Sequence, residues 1–146
     1  MKVEYISLRA YERFENPRNM GALPDANGHA RITGPCGDTV EIRLRVEDGW
    51  VRAATFITTG CGPSRACGSM ATELIIGRSI QTALELEQED ILEELEPFPE
   101  SSRHCALLAA NTVKAAAQDF VQRHTTSPDK EKAKEPDITS GKDESA

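Results

Sequence analysis

No apolar run in this sequence approaches the roughly 18 residues that a membrane-spanning helix needs, so no membrane association is expected. The first residues, Met1 to Tyr11, mix charges with single apolar residues and show neither a signal peptide nor a transit sequence. Cations are in the minority, 17 Lys and Arg against 24 Asp and Glu, for a net charge of −7. No stretch gathers them on one side of a predicted element, which excludes nucleic acid as an expected partner. A CxxC pair is missing too. Its absence argues against a simple thiol oxidoreductase, a zinc ribbon and a local ferredoxin motif.

What is present suits one domain with a tail. The chain has 146 residues, 38% of them hydrophobic, enough for one modest core. From Thr125 onward the sequence TTSPDKEKAKEPDITSGKDESA has Ile138 as its only large apolar residue. Such a segment cannot bury enough surface to offset its ordering entropy, so residues 125–146 are expected to be a disordered polar tail on a domain of residues 1–124. The expected location is the cytoplasm, where thiols stay reduced. Four cysteines there point to metal binding or chemistry rather than to disulfides.

Within the domain, Ile6, Leu8, Tyr11 and Phe14 are compatible with a short amphipathic helix that ends near Pro17. Gly21 to Pro35 reads as loop, with a short strand from Ala30 to Thr33. Val40, Ile42, Leu44 and Val46 alternate with Thr39, Glu41, Arg43 and Arg45, the period of a strand with one buried face. Asp48-Gly49 then turns the chain into a β-rich run from Trp50 to Thr59, making a hairpin. Helical patterns follow at Pro63 to Gly77, Ser79 to Leu86, Glu89 to Leu95 and Ser102 to His124. Strands first and helices after give an α+β fold: a three-stranded antiparallel sheet with helices on one side, a short N-terminal helix and a long C-terminal one. The last helix carries a core stripe of Cys105, Leu108, Ala109, Thr112, Val113, Ala116 and Phe120.

The cysteines divide into two kinds. Cys36 lies in the loop Gly34-Pro35-Cys36-Gly37-Asp38, a poor place for a packing thiol. Cys61, in Thr59-Gly60-Cys61-Gly62-Pro63, precedes a helix for which Pro63 suits the first turn, so its thiolate should be favoured by the helix dipole. Cys105 follows Ser101-Ser102-Arg103-His104, where either serine can cap the last helix, and the same reasoning lowers its expected pKa. These three must converge through the fold. Asp38 and His104 stand beside them as candidates for a fourth position; three thiolates with one carboxylate or imidazole can hold zinc or an asymmetrically bound cluster. Asp38 would be the weaker ligand for iron, which suits a donor, and its bland alternative is a turn residue. Cys67 falls on an inward stripe with Met70, Ala71 and Leu74 and reads as a packing thiol, with a resolving, persulfide or ligand role left open by its closeness to Cys61. His29 and His124 are expected to be exposed and inert.

The run Phe14-Glu15-Asn16-Pro17-Arg18-Asn19-Met20-Gly21, followed in order by Cys36-Gly37-Asp38, Gly60-Cys61-Gly62, Ala71-Thr72-Glu73 and His104-Cys105, resembles the IscU/NifU-type iron-sulfur cluster assembly scaffolds from about Tyr11 to Phe120. The resemblance implies a non-enzymatic scaffold for a transient [2Fe-2S] cluster bound by Cys36, Cys61 and Cys105. It implies that Asp38 modulates release, that His104 is an alternative ligand, and that Zn2+ can take the cluster's place. It also implies a cysteine desulfurase as sulfur donor, Cys105 as persulfide acceptor and apo iron-sulfur proteins as recipients; whether the chain forms a homodimer is left open by the sequence. Two departures stand out. Glu96-Pro97-Phe98-Pro99-Glu100-Ser101-Ser102 occupies the place of the Leu-Pro-Pro-Val-Lys segment that many members offer an Hsp70-type chaperone, and Cys67 replaces a small non-thiol residue. The alternative reading is a zinc-dependent sulfurtransferase of related fold, whose insertion between the second and third cysteines is not seen here. A purely structural zinc site is a third, opposed by the glycine-rich ligand loops.

Overall fold

The computed structural model describes residues 5–125; the polar tail expected at 125–146 lies, after its first residue, outside the described residues. In chain order the elements are α1 (Leu8–Glu15), β1 (Gly28–Thr33), β2 (Thr39–Glu47), β3 (Trp50–Thr58), α2 (Gly62–Ile75), α3 (Ile80–Leu84), α4 (Gln88–Leu95) and, after a 3-10 turn at Glu100–Ser102, α5 (Arg103–Thr125). Among the described residues no helix is long and apolar enough to cross a membrane.

The expected sheet is there, antiparallel in the order β1-β2-β3. Val40, Ile42, Leu44 and Val46 are buried on one face of β2, and β3 adds Val51, Ala54 and Phe56 to it. The β2–β3 turn has positive φ at both Asp48 (54°) and Gly49 (82°), as the tight turn of a right-twisted hairpin requires. Helices α2 and α5 cover the apolar face, α2 over β3 and α5 over β1 and β2. The predicted stripe of α5 is buried from Cys105 to Ala116, with Phe120 packed at its edge. Its small residues Ala109, Ala116 and Ala117 let the helix lie close to the strands.

That closeness explains why β1 starts at Gly28, two residues before the strand expected from sequence. A Cβ at Gly28 would stand 2.8 Å from the carbonyl oxygen of Ala116 and 3.0 Å from Cβ of Phe120. The glycine is a contact residue between strand and helix, and its loop-like appearance in sequence is misleading.

Helix α1 begins at Ser7, whose hydroxyl accepts from the Ala10 amide (3.0 Å) and donates to the carbonyl of Leu95 (2.7 Å). It ends at Asn16, before Pro17, where the sequence places its stop. Arg13 leaves the helix as a buried fork: Nε and Nη2 each donate to a different oxygen of Glu73 on α2, both at 2.7 Å. Arg18 (3.0 Å) and the Ser69 hydroxyl (2.7 Å) donate to the same carboxylate. The Arg18 amide donates to Ser69 Oγ, Asn19 Nδ2 to Thr72 Oγ1, and the Phe56 amide to the carbonyl of Asn19, which sits at φ 64°. Arg13, Arg18 and Asn19 thus form a seam that sews α1 and the segment after it to α2 and β3. Arg13 and Glu73 are its bidentate centre.

Candidate functional site

Three chain segments meet at one end of the sheet, where β1 passes to β2 and β3 passes to α2. The first turn of α5 closes the group. Gly34-Pro35-Cys36-Gly37-Asp38 forms a tight loop, with the Gly34 amide donating to the carbonyl of Asp38 (2.8 Å) and Gly37 at φ 94°. Cys36 is exposed at its tip and Asp38 is half-buried at its base. Cys61 is the residue that caps α2, exposed, with Pro63 in the first turn as predicted. Cys105 is 7% exposed and faces inward from the start of α5. His104 next to it is exposed, with Nε2 3.8 Å from Cys105 Sγ.

The glycines around Cys61 are required by close approach. A Cβ on Gly60 would fall 2.2 Å from the hydroxyl oxygen of Ser64 and 2.8 Å from Asp38 Oδ2, and one on Gly62 would fall 2.8 Å from the ring of Phe14. Ser64, in the first turn of α2 and 5% exposed, lies between two predicted ligands: its Oγ is 3.3 Å from Asp38 Oδ2 and 3.5 Å from Cys105 Sγ. Sequence reasoning passed over Ser64. A serine in a helical first turn looks like a helix-capping residue, and only its position three residues after Cys61 connects it to the thiols.

The Cys105 thiol corrects an expectation. Helix start, Arg103 and His104 led us to expect a lowered pKa, but burial pushes the thiol up. The Ser64 hydrogen bond works against this, and the charges of Cys36, Asp38 and Cys61 add to the rise. Arg103 gives no help because its guanidinium turns to Glu96, 3.6 Å away. Ser64, within hydrogen-bond reach of both Asp38 Oδ2 and Cys105 Sγ, shows that the Asp38 loop reaches the start of α5. Among the described residues, no three His, Cys, Asp or Glu side chains stand grouped to hold a metal ion. The candidate donors are carried by two loops and a helix start.

Cys67 is fully buried between α2 and the sheet, and burial, with a smaller contribution from the charge of Cys105, raises its thiol well above the ordinary value. The packing reading of this residue is the one its surroundings support. His29 is not inert: its Nε2 lies 2.6 Å from Glu41 Oε2 on the outer face of the sheet. His124 is exposed, with Nδ1 2.8 Å from the carbonyl oxygen of Phe120.

Comparison with known proteins identifies the family. The family described as NifU-like N terminal domain matches residues 6–127. The iron-sulfur cluster assembly scaffold protein IscU of Aquifex aeolicus is 38% identical over 126 residues, covering 84% of this chain and 80% of that protein. IscU of Escherichia coli is 38% identical over 119 residues, covering 78% of this chain and 92% of that protein. The crystal structure of a nitrogen-fixing NifU-like protein (N-terminal) from Brucella abortus superimposes with a TM-score of 0.64 at 21% identity, over 80% of this chain and 94% of that one, a likeness of fold. A family match over nearly all the described residues, with relatives of this identity and coverage, means that the chain belongs to the NifU-like N-terminal domain family.

Proposed function

We propose that this protein is a non-enzymatic scaffold on which a [2Fe-2S] cluster is built and then passed to apo-proteins, with Cys36, Cys61 and Cys105 as its thiolate ligands. The observation that carries this reading is that Ser64 links the Asp38 loop to the Cys105 thiol, 3.3 Å from Asp38 Oδ2 and 3.5 Å from Cys105 Sγ, in a chain whose relatives are named as assembly scaffolds. Two of the ligands ride on loops and one on a helix start, so the donor set can close around a growing cluster and open again. Asp38 or His104 completes the coordination. The harder carboxylate holds cluster iron less firmly than a fourth thiolate would, which favours release. The same donors suit Zn2+ in the cluster's place.

Sulfur arrives from a cysteine desulfurase. The Cys105 thiolate attacks the outer sulfur of the donor's persulfide, taking that sulfur as its own persulfide and leaving the donor's cysteine as thiolate. Shelter of Cys105 keeps that persulfide from solvent until iron is present. The Glu96–Ser102 segment, which does not match the chaperone-recognition segment of many members, is partly engaged within the fold: Phe98 is buried and the carbonyl of Pro97 accepts from the Ser7 amide at 2.7 Å.

The test is anaerobic reconstitution of the full chain with iron, cysteine and a desulfurase, followed by visible absorption and transfer to apo-ferredoxin. Cluster bands and transfer are the expected result, and Asp38→Ala should slow the transfer. Tightly retained zinc with no cluster would overturn the reading in favour of a zinc-dependent sulfurtransferase.

A further inference from the structure

Ser64 has one hydroxyl hydrogen and two acceptors. Its Oγ stands 3.3 Å from Asp38 Oδ2 and 3.5 Å from Cys105 Sγ, so the hydrogen can be given to the carboxylate or to the sulfur, never to both at full strength. The arrangement is enclosed, since Ser64 is 5% exposed. It is also sterically prepared: the hydroxyl occupies space that any side chain at position 60 would claim, 2.2 Å from where a Cβ would lie. A serine serving only the helix would turn its hydroxyl to a nearby backbone group. Here the hydroxyl bridges two other chain segments, the β1–β2 loop and the start of α5.

We propose that Ser64 is a positioning residue that couples Asp38 to Cys105 by sharing this single hydrogen between them. The proposal rests on the scaffold reading and deepens it. While the hydroxyl bonds to Asp38, the carboxylate is held back from metal. When Asp38 swings to metal, the hydrogen passes to the Cys105 sulfur, draws electron density from that thiolate and weakens its bond to the same metal. Engagement of one ligand therefore loosens the other. The site never holds its cargo with all donors at full strength, a built-in bias toward handing it on.

The experiment compares the full chain with Ser64→Ala, Ser64→Thr, Asp38→Ala and the Ser64→Ala/Asp38→Ala double variant, each first checked for an unchanged thermal midpoint. Cobalt(II) binding to the apo chain, followed by thiolate-to-cobalt absorption, is one readout; cluster transfer to apo-ferredoxin after reconstitution is the other. Ser64→Ala should hold cobalt about tenfold more tightly, shift the charge-transfer band and slow cluster transfer about tenfold; the size is that of outer-shell effects, and the sign is opposite to their usual loss of affinity because Asp38 and Cys105 are both freed for the metal. Ser64→Thr should restore the parent behaviour, and the double variant should fall well short of the product of the two single effects. Unchanged cobalt affinity and spectrum in Ser64→Ala would overturn the proposal. So would additive effects, or a folded threonine variant that behaves like alanine. If the parent chain builds no cluster while cobalt shows the predicted pattern, the scaffold reading fails and the coupling stands. If the parent binds neither, both fall.

Discussion

The two ends of helix α2 are built on opposite plans. At its start, Cys61 caps the helix without a side-chain hydrogen bond, and the glycine-flanked loops around it leave two thiols exposed. About two to three turns further on, Ser69, Thr72 and Glu73 are engaged with partners: Glu73 alone accepts from Arg13 twice, from Arg18 and from Ser69. The first region leaves thiols open to solvent, while the second spends its donors and acceptors within the chain. A single helix thus carries an open end and a firmly anchored one, the division expected if the loops at the open end handle a ligand, as proposed.

The widest contrast should appear in thiol chemistry. In the folded apo chain an alkylating reagent followed by mass spectrometry should modify Cys36 and Cys61 first and Cys105 more slowly. Cys67, fully buried and with a raised pKa, should react about a thousandfold or more slowly, at the rate of opening of the fold. Fast modification of Cys67 would erase the distinction between the two ends. Next in size is the clamp itself. Glu73→Ala leaves the Arg13 guanidinium, 7% exposed, without its carboxylate, and should cost about 3 kcal/mol in urea unfolding. A loss below about 1 kcal/mol would mean the seam adds little.

The smallest effect sharpens the same point through pH. Burial alone would raise the Glu73 carboxyl, but hydrogen bonds from Arg13 and Ser69 and the charges of Arg13 and Arg18 outweigh it and hold the pKa below the ordinary value. A carboxylate depressed in the folded state adds stability above its unfolded pKa. That stability is lost as pH falls through the folded value. Thermal midpoints should therefore decline on acidification, with a shallower decline in Glu73→Gln. Equal slopes for the two proteins would place the acid-sensitive group elsewhere.

Much of this was legible beforehand because it depends on periodicity. The alternation Val40, Ile42, Leu44, Val46 and the stripe Cys105 to Ala116 each face a single partner surface, so pattern alone places them. The loop and helix-start positions of Cys36, Cys61 and Cys105 could be read because glycines and element ends mark them. What escaped depends on pairs distant in sequence. Arg13 and Glu73 are 60 residues apart, and nothing local in either shows that they meet. Ser64 is invisible until α5 brings Cys105 beside it. The misjudged Cys105 pKa has the same origin: helix-end electrostatics can be read from neighbours in sequence, whereas burial and the turning of Arg103 to Glu96 cannot.

The contact of Ser7 with the carbonyls around Pro97 bears on how the chain is made. Ser7 bonds to Leu95, 88 residues later, and to Pro97. Chain growth supplies these partners in order: α2, with Glu73 for Arg13, is made before the end of α4 that bonds Ser7. Helix α1 can therefore clamp to α2 first and gain its second anchorage only once residues 95–97 have been made.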